Sequence, residues 1–278
     1  MRMAGATAFF TTFALPPILI ILIQLFGLVF DPEKISGRLL EHLASILGKD
    51  SVSQIKVTLE GFSMLAESWY ITLGGFLFLL FVATTLFKVI RNSIDQLWSL
   101  KTHKRSRIGD RMLPRLKSMM VIVMAGILFL GALTIEAVQS MLRSYINEVW
   151  PNAGSFVILV LNQLLSLGIV TIWFTVLLRF LPDGRPLWKV ATAGGIFTGV
   201  LFTLGKVILG WMLELSNIKN IYGASGAFVL ILLFVFYVSF ILYYGAAFTY
   251  AWAESHGIPI KPGRSAYEYT VSEVRASE

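Results

Sequence analysis

The sequence of 278 residues lacks cysteine and carries little charge. The absence of cysteine excludes thiolate catalysis, a thiolate metal site and a disulfide scaffold. Charged residues make up 14% of the chain, whereas soluble domains carry about 25%. Hydrophobic residues make up 56%, and the mean hydropathy is +0.75. Since any water-facing surface would need more charge, part of this chain must be solvated by lipid.

Six continuous apolar stretches are long enough to cross a hydrocarbon core of about 30 Å as helices. They run approximately over Ala6–Phe30, Trp69–Phe87, Met119–Ile135, Phe156–Leu178, Val190–Leu213 and Phe228–Trp252. Because lipid cannot satisfy open backbone groups, each stretch must form a helix. The sequence therefore predicts an all-α polytopic bundle with six transmembrane helices, with a membrane domain over 1–257 and a tail over 258–278.

Lysine and arginine gather on one side of the predicted membrane. The loop 88–118, the loop after the fourth span, the tail and Arg2 hold 16 of the 23 basic residues, and the other side holds six. The positive-inside rule places both termini and the basic loop in the cytoplasm. The basic run has no interleaved aromatic residues, so its expected partner is membrane lipid and not nucleic acid. We expect the second span to continue as a helix through Leu100, with Trp98 anchoring the membrane interface.

The predicted outer loop, 31–68, has the pattern of two short amphipathic helices. Asp31 and Pro32 form a helix start, and apolar residues then recur at helical spacing. Ser51 with Gln54 marks a second start. Such helices pack as a lid on the bundle, lie at the membrane interface or gate a cavity that opens outward, and the sequence leaves these alternatives open.

Five polar residues are predicted to lie at one depth near the outer ends of four spans. They are Gln24, Glu136, Asn162, Gln163 and Lys206. Lys206 is expected about 10 Å inside its span, and an ionisable group at that depth is a candidate functional site. One hypothesis is a polar pocket in which Lys206 binds an anionic head group or solute. The alternative is that Lys206 extends outward along its own stem while the amides bridge helices.

Residues suited to hydrolytic chemistry are scarce in the predicted spans. The three histidines, His42, His103 and His256, lie outside them, and no HExxH motif occurs. The segment from Gly223 to Gly226 resembles the serine motif of rhomboid proteases, but a serine nucleophile needs a base within reach. We therefore expect Gly223 and Gly226 to form a tight entry to the sixth span, and we expect no enzyme activity, metal or cofactor.

Four stretches of the chain resemble one known family. They are RFLPDGRP at Arg179–Pro186, LGKVILG at Leu204–Gly210, the run from Tyr222 to Gly257, and AFFTTFALPPILI at Ala8–Ile20. In order and spacing the chain is similar to the YihY/BrkB family of bacterial inner-membrane proteins. The resemblance implies six helices, cytoplasmic termini and a bacterial inner membrane, and it suggests transport of lipid or small solutes.

Two details bear on what this resemblance implies. Family members often read GAEFT in the sixth span, whereas this chain has Ala247 in place of the acid; if that acid carries protons or binds cations, this chain lacks the coupling. Arg179, Asp183 and Arg185 form a charge cluster at a Pro-Asp-Gly turn, which either fixes the turn or serves as a cytoplasmic gate. The two functional hypotheses are a transporter of lipid or of a small anionic or amphiphilic solute and, alternatively, a non-transporting envelope interaction or scaffold protein.

Overall fold

Long helices make up most of the structure. It is a computed structural model that describes residues 1–27, 32–47, 52–53, 55–57, 59, 69–102, 120, 123–124, 127, 131, 154–215, 226–263 and 266–269. The long helices of this part of the chain are α1 (Arg2–Gly27), α2 (Pro32–Leu47), α3 (Trp69–Leu97), α4 (Gly154–Phe180), α5 (Trp188–Leu215) and α6 (Gly226–Ser255).

Five of these helices, α1 and α3 to α6, coincide with predicted spans. Within the described residues, three stretches are long and apolar enough to cross a membrane: Gln163–Phe180, Trp188–Ile208 and Val229–Ser255. Of the predicted span 119–135, residues 120, 123–124, 127 and 131 are helical, and the rest lies outside the described residues. A predominantly helical protein with membrane-crossing helices is thus confirmed, and the count of six stays a prediction.

The helices pack side by side in the order α3, α1, α6, α5, α4. One end of this row, where α3, α4 and α6 end and α5 begins, is called the base here. A cluster of buried apolar side chains closes the base, and it draws on α3, α4, α5 and α6 through Ile94, Leu178, Val190 and Ala246. Near the base α1 joins α6, because the Thr7 and Tyr243 hydroxyls share a buried hydrogen bond.

Glycine lets α5 approach α4 at backbone distance. At Gly195, a β-carbon would lie 2.9 Å from the carbonyl oxygen of Thr171 and 2.9 Å from the amide nitrogen of Thr175. One turn further on, a β-carbon at Gly199 would lie 2.7 Å from the Thr171 hydroxyl. Small residues at such positions let helix backbones pack closely in lipid, so this face of α5 has no room for a side chain.

A reciprocal pair of contacts joins α5 to α6. Gly194 of α5 lies against Thr249 of α6, and Gly245 of α6 lies against Thr198 of α5. Both hydroxyls are satisfied within their own helices, since Thr198 donates to the carbonyl oxygen of Gly194 and Thr249 donates to that of Gly245, each at 2.6 Å. The polar atoms therefore cost little in an apolar contact.

The described part of the amphipathic segment 31–68 packs on the bundle. Helix α2 begins at Pro32, as the helix-start pattern predicts. Its Leu39 is 6% exposed and clusters with Ile55 and Leu59 of the following segment and with apolar residues of α1 and α6. This packing is the arrangement that the lid alternative predicts.

Two short antiparallel ribbons lie at the base of this predominantly helical protein. Strand β1 (Leu100–Thr102) pairs with β4 (Ala266–Glu268), and β2 (Gly184–Arg185) pairs with β3 (Lys261–Pro262). Helix α3 therefore ends at Leu97 and not at Leu100. The chain leaves the helix through Ser99, whose φ of 54° lies in the left-handed region. The start of the predicted tail is thus tied to two loops of the membrane domain.

The contact at Gly195 makes a stability prediction. Gly195→Ala places a methyl group against α4 backbone atoms, which cannot rotate away, so we expect a loss of about 1–3 kcal/mol in unfolding free energy. Thermal unfolding of the purified protein in detergent measures the change.

Gly168→Ala is the matched control, because a β-carbon at Gly168 in α4 meets nothing within 4 Å. It should be neutral or stabilising, since alanine is the better helix former by up to about 1 kcal/mol. Equal melting temperatures for the two variants would show that the α4–α5 contact is looser than described.

Candidate functional site

Three charged side chains are buried together at the base. Arg91 and Asp95 lie one helical turn apart on α3 and are 4% and 5% exposed, and Asp183 in the turn between α4 and α5 is 5% exposed. Charged residues are rarely buried to this degree without partners. A buried group of titratable side chains in a membrane protein is a candidate functional site.

The carboxylate of Asp95 holds the turn between α4 and α5. Its Oδ1 accepts a hydrogen bond from the backbone N–H of Asp183 at 2.8 Å, and the N–H of Gly184 also donates to this carboxylate. These two amides belong to a tight turn in a buried environment, where an unsatisfied N–H costs about 1–3 kcal/mol. A side chain of α3 thereby connects the second predicted span to the fourth and fifth.

The side chain of Trp98 is buried beside the turn between α4 and α5. It is 1% exposed, and its indole Nε1 donates to the carbonyl oxygen of Ala246 in α6 at 2.9 Å. The prediction that Trp98 anchors the membrane interface is therefore wrong, because the indole is buried and its N–H binds an acceptor inside the bundle. Gly184 lies beneath the ring, and a β-carbon there would lie 2.7 Å from Cε3 of Trp98.

The tail closes the turn from the opposite side. The N–H of Gly263 donates to the carbonyl oxygen of Asp183 at 2.9 Å. A β-carbon at Gly263 would lie 2.5 Å from that oxygen, so glycine is required for this approach. Asp183 is consequently held through its N–H by α3 and through its carbonyl by the tail.

Burial, and to a smaller extent the neighbouring Asp183 carboxylate, raises the pKa of Asp95 from 3.8 to a net value of about 7. The N–H of Asp183, the Arg91 guanidinium and the N–H of Gly184 act in the opposite direction, because each favours the ionised carboxylate. With all three side chains ionised the group carries one net negative charge, and one proton on Asp95 neutralises it. A pKa of about 7 for Asp95 therefore predicts that the charge of this group changes near neutral pH.

The three residues of the predicted charge cluster, Arg179, Asp183 and Arg185, have different surroundings in the structure. Asp183 faces Asp95, whereas Arg185 is exposed. The guanidinium of Arg179 lies over the ring of Trp188, with its carbon 5.7 Å from the ring centroid. Gly226 begins α6, and Gly223 lies outside the described residues.

The structure describes part of the polar pocket that is predicted near the outer ends of four spans. Lys206 and Gln163 both have exposed side chains. Gln24 and Asn162 lie within α1 and α4, but their side chains, like all of Glu136, fall outside what the structure describes. The polar pocket that these five residues are predicted to form therefore stays a prediction.

The position of Lys206 on α5 follows from helical spacing. It lies seven residues beyond Gly199 and eleven beyond Gly195, so the three residues share one face of the helix. At the two glycines this face touches α4, whereas at Lys206 it is exposed. At the corresponding level of α4, eight and seven residues before Thr171, Gln163 and Leu164 are exposed too. Lys206 of α5 and Gln163 of α4 are therefore both exposed at the end of this helix pair that lies away from the base.

Sequence reasoning missed the buried group on α3. Arg91 and Asp95 belong to a segment rich in basic residues, and such a segment favours a solvated surface. The available signal was the four-residue spacing of Arg91 and Asp95, which places an opposite-charge pair on one face of the helix that continues from an apolar span. Among the described residues, no three histidine or carboxylate side chains are placed to hold a metal ion.

Long apolar helices that are joined by glycine contacts, three of them able to cross a membrane, define a helical integral membrane protein. The chain belongs to the BrkB family, because the family model described as virulence factor BrkB matches residues 1–268. The resemblance found in the sequence is thereby confirmed.

Curated relatives are bacterial proteins named UPF0761 membrane protein. The relative from Saccharophagus degradans is 26% identical over 254 residues, which cover 91% of this chain and 56% of the relative. The relative from Teredinibacter turnerae is 26% identical, and the match covers 91% of this chain and 57% of the relative. The relative from Acinetobacter baylyi is 24% identical, and the match covers 93% of this chain and 60% of the relative. The chain thus spans less than two thirds of these relatives. No solved structure matches the chain significantly.

The raised pKa of Asp95 predicts a pH-dependent stability. The folded protein binds this proton more tightly than the unfolded chain, so unfolding free energy falls as pH rises from about 4 to about 7. Asp95→Asn keeps an oxygen acceptor for the Asp183 N–H and cannot ionise. We expect it to gain about 2–3 kcal/mol relative to wild type between pH 5 and pH 8, measured by thermal unfolding in detergent.

Asp95→Ala provides the comparison, because it removes the acceptor altogether. It should destabilise the protein at both pH values, since the amides of Asp183 and Gly184 lose their partner. Parallel pH profiles for wild type and Asp95→Asn would contradict a titrating Asp95.

Proposed function

We propose that this chain is a multi-pass protein of a bacterial inner membrane that transports a lipid or a small anionic or amphiphilic solute. In this proposal the base and both termini face the cytoplasm, because the basic residues are predicted on that side. The observation that carries the proposal is the exposed Lys206 inside Trp188–Ile208, a stretch able to cross a membrane.

Lys206 is expensive to expose to lipid tails. An ammonium costs about 2.5–3.5 kcal/mol at the centre of a membrane helix and less toward the helix end, where Lys206 lies. Water or an anionic partner removes this cost. Lys206 lies on the face of α5 that turns toward α4, at a level where Gln163 is also exposed. A phosphate or carboxylate entering between α4 and α5 would meet an ammonium on one side and an amide on the other.

The base supports the same proposal from the opposite end. Alternating access requires one end of the pathway to be closed while the other is open. At the base, the buried Asp95, Asp183 and Trp98 join α3 to the α4–α5 turn and to α6. The proton that Asp95 exchanges near neutral pH changes the charge of this closure, so pH is expected to bias its opening.

A non-transporting scaffold protein is the second candidate function. It is favoured by α2, which buries Leu39 against the bundle and leaves Arg38 and Glu41 exposed. Such a helix offers a charged outer surface to a partner protein while its apolar side is occupied. This candidate requires no water path to Lys206, so the same experiment separates the two functions.

Thiol labelling tests the water path, and the chain provides a cysteine-free background. In spheroplasts, Lys206→Cys should react with the anionic, membrane-impermeant reagent MTSES, because the pathway is open to the outside. Val200→Cys is the matched control on another exposed face of α5, and it should stay unmodified in lipid. Mass spectrometry of the purified protein measures the modified fraction.

Lys261→Cys, in the exposed part of the tail, reports the orientation. It should react only after the membrane is opened. Protection of Lys206→Cys equal to that of Val200→Cys would contradict the water path and leave the scaffold as the better proposal.

Transport itself is tested in proteoliposomes with fluorescent NBD-phosphatidylglycerol, whose inward or outward movement is followed by dithionite quenching. Wild type and Lys206→Arg should exchange the lipid between leaflets, since both present a cation to its phosphate. Lys206→Met should lose at least about tenfold in rate, if the cation contributes the roughly 1.5–3 kcal/mol of a charge-assisted hydrogen bond. A wild-type rate equal to that of protein-free liposomes would contradict transport of this lipid.

A further inference from the structure

The start of α5 carries an exposed group of apolar, aromatic and basic side chains. Leu187 and Trp188 are each 54% exposed, and Lys189 is exposed beside them. Arg179, at the end of α4, places its guanidinium over the Trp188 ring. Arg179, Leu187, Trp188 and Lys189 are called the interfacial patch here. Tryptophan at the first residue of an apolar span is typical of the lipid head-group region.

Arg179 is held in place and retains hydrogen-bonding capacity. Its contact with Trp188 is a cation–π contact, which uses the face of the guanidinium and not its N–H groups. Phe180 supports the indole from the edge, with ring centroids 5.9 Å apart. The Nε of Arg179 is buried and makes no hydrogen bond in the described part of the protein. The buried Nε is out of reach of an outside ligand, so an oxygen acceptor would bind the terminal N–H groups of this guanidinium.

An exposed row of side chains leads away from the interfacial patch along α5. Trp188, Thr192, Ile196 and Val200 follow one another at intervals of four residues, and all are exposed. The Thr192 hydroxyl bonds to the carbonyl oxygen of Trp188 at 2.9 Å, so its methyl group completes an apolar row. The row is about 18 Å long, which matches one leaflet of a hydrocarbon core about 30 Å thick.

We propose that the interfacial patch is a binding site for an anionic phospholipid. The phosphate contacts the guanidinium of Arg179 and the ammonium of Lys189, the glycerol region lies against Trp188, and an acyl chain follows the row toward Val200. Two cations beside an exposed indole at the depth of the head groups recognise a phosphodiester, and the apolar row selects a lipid over free phosphate.

This site is distinct from the one proposed for transport. Lys206 lies eighteen residues from Trp188 along α5, about 27 Å away, so it belongs to the other end of the span. Lipid binding at the patch requires only that the protein be embedded in a membrane. Lys206→Met should therefore leave it unchanged, and a failure of the transport proposal would not affect it.

Lipid-dependent thermal stability of the purified protein in detergent tests the site. Added dioleoylphosphatidylglycerol should raise the melting temperature, and equal amounts of dioleoylphosphatidylcholine or inorganic phosphate should not. In the double variant Arg179→Gln/Lys189→Gln, the lipid concentration for half the shift should rise about 25-fold, because each basic residue near an anionic membrane surface contributes about fivefold.

A matched pair of variants controls for general charge. Lys101 and Lys261 are exposed lysines at the same end of the bundle and outside the patch, and Lys101→Gln/Lys261→Gln should change the lipid concentration by less than about twofold. If Arg179→Gln impairs folding, Lys189→Gln alone should still cost about fivefold, because Lys189 is exposed, and Arg179→Lys should retain most of the binding.

Three results would overturn the proposal. They are an equal shift with phosphatidylcholine, an equal shift with inorganic phosphate, and an equal loss in the Lys101/Lys261 pair. The first would indicate nonspecific lipid solvation, the second a simple anion site, and the third an effect of net surface charge.

Discussion

The base of this protein depends on one hydrogen bond, from the backbone N–H of Asp183 to the carboxylate of Asp95. A buried amide and a buried carboxylate are each costly alone, and together they satisfy one another. The bond fixes the turn between α4 and α5 under Trp98, where Gly184 leaves room for the indole. Because the same turn pairs with the tail, this polar contact joins three segments that are distant in sequence.

Packing along α5 follows from a different constraint, the lack of a hydrophobic driving force between helices in lipid. Close approach must then come from small residues, and Gly195 and Gly199 let α4 pack against the backbone of α5. Past these glycines the same face carries Lys206 and is exposed. One helix face thus forms a tight contact near the base and an open surface further out, which is why the proposed pathway lies between α4 and α5.

The charged residues near the base form two sets, one buried and one exposed. Arg91, Asp95 and Asp183 are buried and compensate one another, whereas Arg185 and Lys189 are exposed on the same side. Buried charges require partners within the protein, and exposed cations at the membrane surface are free to meet anionic lipid. The first set stabilises the fold at the base, and the second suits interaction with the bilayer.

Much of the helical framework could be predicted, because an apolar run of about 20 residues has few alternatives to a membrane helix. The start of α2 at Pro32 was equally accessible, since an N-cap acts locally. The burial of Trp98 could not be predicted, because an indole at the end of a span can lie at the lipid interface or donate to a buried acceptor. Only the carbonyl oxygen of Ala246 decides between them, and it lies 148 residues away.

By itself, the sequence determined that this chain uses lipid as solvent, belongs to the BrkB family and carries its basic residues asymmetrically. Composition and local pattern are sufficient for these conclusions. The tertiary structure alone decided that Asp95 is a buried acceptor with a raised pKa, that Trp98 lies inside the bundle and that the tail forms ribbons with two loops. These depend on contacts between distant segments, which leave no periodic signal along the chain.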